Sequence, residues 1–179
     1  MNEVRIRSYR ERDLEPLVEL INAADAVDQP ERGASLQELR ERFGLPTLRP
    51  EENVFVAETG GQVVGYTRLR LEKGEAESVF QADGVVHPAW RRRGMGRRLL
   101  KRAYQRAQER LGDVASETVY FDAECEHGEA ARMALFESFR MRPPAIPWRW
   151  PTCPWRASPN PVSRRASPCE PGSGACPVE

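Results

Sequence analysis

One stretch of this chain has residue types and spacing suited to chemistry: Val85-Val86-His87-Pro88-Ala89-Trp90-Arg91-Arg92-Arg93-Gly94-Met95-Gly96-Arg97-Arg98-Leu99-Leu100. An apolar strand end meets a proline, an arginine run, a Gly-x-Gly and then a helical stripe. Glycines at 94 and 96 let the backbone turn tightly and put no side chain in the way of a ligand. The amides of such a turn, with the first amides of the helix, have no intrahelical acceptor, and the helix dipole adds partial positive charge. The turn is therefore an anion site suited to phosphate, and Arg91, Arg92, Arg93, Arg97 and Arg98 deepen its positive field. Two other phosphate motifs do not fit. The Gly-Lys-Ser/Thr of a P-loop is missing, and Leu99 stands where a dinucleotide fingerprint needs its third glycine.

The elements that must position this turn follow from periodicity. Val4-Arg5-Ile6-Arg7 alternates as a first strand would. Asp13 is the expected N-cap of a helix carrying Leu14, Leu17, Val18 and Ile21, and Ser35-Leu36-Gln37-Glu38 is a capping box that starts a second helix. The polar loop from Asp25 to Gly33 separates them. Val54 to Ala57 and Val63 to Thr67 bracket Thr59-Gly60-Gly61-Gln62, a hairpin signal. Val79 to Val86 makes the strand that leads into the glycine turn. Beyond it, Leu99, Leu100, Ala103, Tyr104, Ala107 and Leu111 form one helical stripe that stops at Gly112. Thr118 to Ala123 is β-prone, and a last helix is expected from about Gly128 to Phe139. The order β-α-α-β-β-β-α-β-α predicts an α/β class with helices on a mixed sheet.

Composition narrows the function classes. The 179 residues suit one domain, and Lys+Arg and Asp+Glu both total 27, which argues against a nucleic-acid partner. No segment reads as a signal peptide or a membrane span, so no membrane partner is expected and a cytoplasmic protein is the default. Cys153, Cys169 and Cys176 match no zinc spacing, and neither His87 nor His127 is near them, so no metal is expected.

Arg91-x-x-Gly94-x-Gly96 after a Val-x-Pro strand end resembles the acyl-CoA pyrophosphate loop of the GNAT N-acetyltransferase superfamily. The element order matches that fold over roughly residues 3 to 142, a domain of residues 1–142. The resemblance implies a mixed central sheet flanked by helices, acetyl-CoA as cosubstrate, and a small-molecule amine as acceptor that attacks the thioester directly. It places pantetheine beside Val85 and Val86, with the main-chain amide at Val86 on the thioester oxygen. Pyrophosphate then sits on the amides from Arg92 through Arg93, Gly94, Met95 and Gly96 to Arg97, and the side chains of Arg91, Arg92, Arg93 and Arg97 serve the outer phosphates. Asp83 is the implied general base, with Glu124 and Asp122 on the neighbouring strand as alternatives, while His87 reads as structural. The loop Asp25–Gly33 becomes a specificity candidate. The family's acid is commonly a Tyr in a Leu-Tyr-Glu segment, but this chain has Leu135-Phe136-Glu137, so the role is vacant or passes to Tyr120, Tyr104 or water. A non-catalytic acyl-CoA-binding domain is the alternative.

Beyond Met141 the character changes. Ten of the 15 prolines and three of the four tryptophans lie there, with five arginines against Glu170 and Glu179. Residues 143–179 read as a disordered tail, and the closing strand that follows the last helix in the family is missing. Trp148-Arg149-Trp150 constrains a shifted reading frame, because tryptophan has one codon. Read in that frame, the segment can encode a strand and linker, and Val162 to Glu170 can encode the start of a second repeat. A one-base frameshift near Pro143-Pro144 that truncates a tandem GNAT protein is the corresponding expectation.

Overall fold

The structure, a computed structural model, describes residues 3–28, 33–116, 118–126, 130–142 and 152–157. Among them the elements run β1 (Arg5–Ser8), α1 (Leu14–Asp28), α2 (Leu36–Phe43), α3 (Pro50–Asn53), β2 (Val54–Thr59), β3 (Gln62–Lys73), β4 (Glu77–Val86), α4 (Met95–Glu109), β5 (Thr118–Glu126), α5 (Ala130–Ser138), β6 (Met141–Arg142) and β7 (Thr152–Ala157). They build one mixed sheet in the order β1-β2-β3-β4-β5-β7-β6. β1 to β4 are antiparallel, with Gly60 and Gly61 at positive φ (54° and 82°) in the β2–β3 turn. β4 and β5 form the parallel pair, and α4 is the crossover between them.

Strand alternation divides the core between the two faces. On one, Leu14, Leu17, Leu20 and Ile21 of α1 and Leu39 and Phe43 of α2 pack on Val54, Val56 and Tyr66. On the other, Leu100, Ala103 and Ala107 of α4 and Phe136 of α5 pack on Leu69, Phe80, Val119 and Phe121. A smaller cluster joins Met95 and Leu99 to Val64 and Ala57. The expected α4 stripe holds, with Tyr104 and Leu111 packed at its margin. α3 has no periodicity to announce it, yet it presents Asn53, whose Oδ1 accepts from Arg106 Nε (3.1 Å) on α4 and from Arg110 Nη1 (3.2 Å) just past its end.

Two expectations are corrected. Asp13 does not cap α1 as an N-cap residue. A 3₁₀ turn, Glu11–Asp13, precedes the helix, and the Asp13 carboxylate accepts from the Arg10 amide (2.8 Å) and from Arg7 Nη1 and Nη2 (2.6 and 2.8 Å). Burial raises its pKa, but the bonds from Arg7 and Arg10 outweigh that and hold it below the usual carboxylate range. The missing closing strand is the second. Thr152–Ala157 pairs antiparallel with β5 over Glu126↔Thr152 to Asp122↔Arg156. An unpaired edge of β5 would leave a row of donors and acceptors open. Pro154 fits because, among the described residues, β6 meets β7 only at Ala157 and Arg156, which leaves Pro154 beside β5 alone. The rest of the expected tail, 143–151 and 158–179, lies outside the described residues, as do residues 29–32 of the specificity loop.

Candidate functional site

β4 and β5 are paired from Glu77↔Thr118 to Ala82↔Ala123 and then part. β4 continues beside β3 to Val86, whereas β5 follows β7. At the fork, β3 approaches Gly84 so closely that a Cβ there would collide with the Tyr66 carbonyl oxygen, which explains why glycine interrupts this strand. A cavity of about 700 Å³ fills the wedge and reaches from α1 through to α4 and α5, a size typical of small-molecule sites.

The backbone at the wedge is oriented by register. The His87 amide donates to the Val64 carbonyl (3.0 Å), which makes Gly65↔Val86 a pair without direct bonds between its own members. Val86 therefore turns its N–H and C=O away from β3 toward the opening, and its carbonyl accepts from Arg91 Nε (3.1 Å). Beyond it the chain reaches α4. Arg92 and Gly94 have positive φ (61° and 75°), and no side chain caps the helix. The first intrahelical bond runs from the Arg98 amide to the Gly94 carbonyl (3.1 Å), so the amides of Met95, Gly96 and Arg97 precede it. Gly94, Met95, Gly96 and Arg97 all line the cavity. The two glycines serve different needs. A Cβ on Gly94 would meet nothing within 4 Å, so its requirement is the left-handed φ, whereas a Cβ on Gly96 would stand 3.2 Å from Leu135 Cδ2 of α5.

The structure divides the arginine run. Arg91, Arg92 and Arg97 line the cavity, and Arg93 and Arg98 do not. Arg93 stacks on Trp90 at 4.9 Å and Arg98 donates to the Val4 carbonyl (2.8 Å). Arg97 donates to Ser138 Oγ (3.0 Å), tying α4 to α5. Arg91 makes a bidentate pair with Asp28 at the end of α1, at 2.7 and 2.6 Å.

On the α1 side, Val85 packs with Tyr66 and the α1–α2 cluster, so Asp83, two residues earlier, shares its face. Asp83 Oδ2 accepts from Nε and Nη2 of Arg68, its cross-strand partner, at 3.0 and 2.8 Å. Arg68 is 9% exposed; burial lowers its pKa, but Asp83 more than compensates and the net shift is upward. Glu124, half-buried on β5, lines the same cavity as Asp83 and Val85. Asp122 is buried at 4% and is not part of the lining.

Phe136 is 4% exposed and lines the cavity from α5. Neither tyrosine suggested in its place is in the lining: Tyr104 packs edge-on against Phe121 at 5.2 Å, and Tyr120 reaches toward Glu77 at the paired end of β4 and β5. Tyr66 lines the cavity without a role in the sequence reading, whereas Asp28 belongs to the Asp25–Gly33 specificity candidate, whose first residues are the end of α1 rather than loop. Tyr66, 6% exposed, has its pKa pushed up to about 12 by burial, with Asp83 adding to the shift. Alternation in the β3 strand could have placed it on the Val85 side. No local signal connects Asp28 to Arg91, because the two meet only through the fold. Among the described residues, no cluster of three or more potential ligands could hold a metal ion, and no helix is long and apolar enough to cross a membrane.

The mixed sheet that forks beside an uncapped, glycine-led helix is an α/β site open to an anion, and comparison with known proteins gives the family. The Acetyltransferase (GNAT) domain model matches residues 50–139, and the chain belongs to that family. A mycothiol acetyltransferase of Streptomyces bingchenggensis is 33% identical over 97 residues, which cover 54% of this chain and 31% of that protein. The chain thus spans about a third of that relative's length. Among solved structures, a GCN5-related N-acetyltransferase from Sphaerobacter thermophilus matches with TM-score 0.68 and 20% identity over 78% of this chain and 44% of that one. The yncA protein of Salmonella typhimurium, solved with its cofactor acetyl-CoA, matches with TM-score 0.66 and 24% identity over 93% and 98%.

Proposed function

We propose that this chain is an acetyl-CoA-dependent N-acetyltransferase acting on a primary amine of a small molecule or peptide by direct attack. One observation carries the reading: the outward-turned backbone of Val86 and the uncapped start of α4 at Gly94–Arg97 open into the same wedge, faced by the carboxylates of Asp28, Asp83 and Glu124. The residues present fit acetyl-CoA. Gly94 supplies the left-handed turn into the helix, and the amides of Met95, Gly96 and Arg97 suit a pyrophosphate, helped by Arg92 and Arg97. Bound there, the cosubstrate supplies the thioester carbonyl that the amine attacks.

The chain's own residues then divide the work. The Val86 N–H donates to the carbonyl oxygen as it gains negative charge, and it needs no reorganisation because β3 holds the strand. Glu124 accepts the amine's proton, directly or through water. Asp83 is the weaker candidate base, since its Oδ2 is already engaged by two bonds from Arg68. Phe136 cannot donate a proton, so the thiolate takes one from water. The acid is therefore the departure from the family pattern.

A CoA-release assay over antibiotics, polyamines, amino acids and peptide N-termini, run beside calorimetric acetyl-CoA binding, tests the reading. Acetyl-CoA binding with turnover of an amine is expected. Binding without turnover of any amine supports a second reading, a non-catalytic acyl-CoA-binding half of a tandem protein. Phe136 and the third of its relative's length that the chain spans favour that alternative. Resequencing the gene around Pro143 tests the associated frameshift: no GNAT-like continuation in another frame sinks it.

A further inference from the structure

Arg91, which the family motif would give to the phosphates, is instead held by Asp28 at 2.7 and 2.6 Å, and both residues line the wedge. Each side chain is about one-third exposed. Ion pairs so open to solvent are weak, whereas a pyrophosphate brings more than one negative charge to a spot where helix amides already attract it. Asp28 terminates α1, on the side of the wedge where Tyr66, Asp83 and Glu124 also face the cavity.

Resting on the acetyl-CoA reading above, we propose that Arg91 is shared between Asp28 and the cosubstrate's pyrophosphate, so that cosubstrate binding releases the Asp28 carboxylate to hold the acceptor as it enters in its ammonium form. Asp28 is then an acceptor-binding residue that is masked until the other substrate is in place, and binding is ordered. The Nε bond to the Val86 carbonyl (3.1 Å) provides the pivot, because it can persist while the outer nitrogens change partner.

The sign of one substitution separates this exchange from a static brace. Asp28→Asn, in which Arg91 no longer has to leave a carboxylate, should tighten CoA binding about 3-fold by calorimetry. A brace that merely supports the strand would leave CoA binding unchanged or weaken it, and either result overturns the proposal. General relief of negative charge would also tighten binding, so the same substitution is repeated in an Arg91→Gln background. There the gain should vanish, and a gain that persists overturns the exchange. Pantetheine, which has no pyrophosphate, should bind wild type and Asp28→Asn equally, and a 3-fold gain with this probe does the same. For an amine turned over by the wild type, Asp28→Asn should raise the amine KM at least about 5-fold with a smaller change in kcat. An unchanged KM removes the acceptor half. A wild-type chain that binds no CoA, or that binds it and turns over no amine, removes instead the function on which the proposal rests.

Discussion

The two sides of the β4–β5 wedge are made of different material. On the α4 side main chain leads, through the Val86 N–H and the amides that follow Gly94, with Arg92 and Arg97 beside them. On the α1 side the surface is side chain: Asp28, Tyr66, Asp83 and Glu124, drawn from α1, β3, β4 and β5. A backbone surface recognises what every acyl-CoA shares, a phosphate and a carbonyl, and tolerates wide change in neighbouring residues. A side-chain surface can be rebuilt one residue at a time. In such a fold, cosubstrate binding is the fixed property and acceptor choice the variable one.

Substitutions can break or sharpen that contrast. The largest effect is expected for Glu124→Gln, which should lower kcat about 100- to 1,000-fold in the CoA-release assay while leaving acetyl-CoA affinity within about 2-fold. A matching loss of affinity would show that the two sides are not separable. Asp13→Asn touches neither side. It leaves Arg7 without its bidentate partner and should cost about 3 kcal/mol in denaturant melts, with acetyl-CoA affinity of the folded protein preserved. Because the folded Asp13 pKa is depressed, its contribution is present above the unfolded value of about 4 and is lost as pH falls below it. A stability curve of wild type and Asp13→Asn should therefore converge in acid, and a constant gap between the two down to low pH would contradict the pairing.

On the backbone side, Gly94→Glu adds a carboxylate and a strained φ at the helix start, and should weaken acetyl-CoA at least about 100-fold by calorimetry. Undiminished binding would remove the loop from the site. The smallest effect belongs to Gly94→Ala. Its Cβ enters open space, so only the left-handed φ is paid for, about 1 kcal/mol in stability with binding nearly unchanged. A large loss of affinity there would mean that the turn, and not just its charge, is read by the ligand.

The glycine turn, its arginines and the strand and helix that flank it were legible because the motif is local: strand end, tight turn and helix start are contiguous, and 3.6-residue periodicity reports the buried face of α4. The same locality misled at Asp13, where helix-cap chemistry was read correctly but assigned to the wrong turn. It also misled at Thr152–Ala157, where proline content outweighed the pairing edge that β5 supplies.

By itself, then, the sequence determined the α/β order, the glycine turn that starts α4 and the absence of a tyrosine hydroxyl at position 136. Only the tertiary structure decided that β4 and β5 part after Ala82 and Ala123, that Asp83 is bound to Arg68 while Glu124 faces the wedge, and that Arg91 reaches Asp28 across 63 positions of chain. The physical reason is range. Turn conformation and helix-end amides are set by neighbours within a few residues, whereas the charge each carboxylate meets depends on strand register and helix packing.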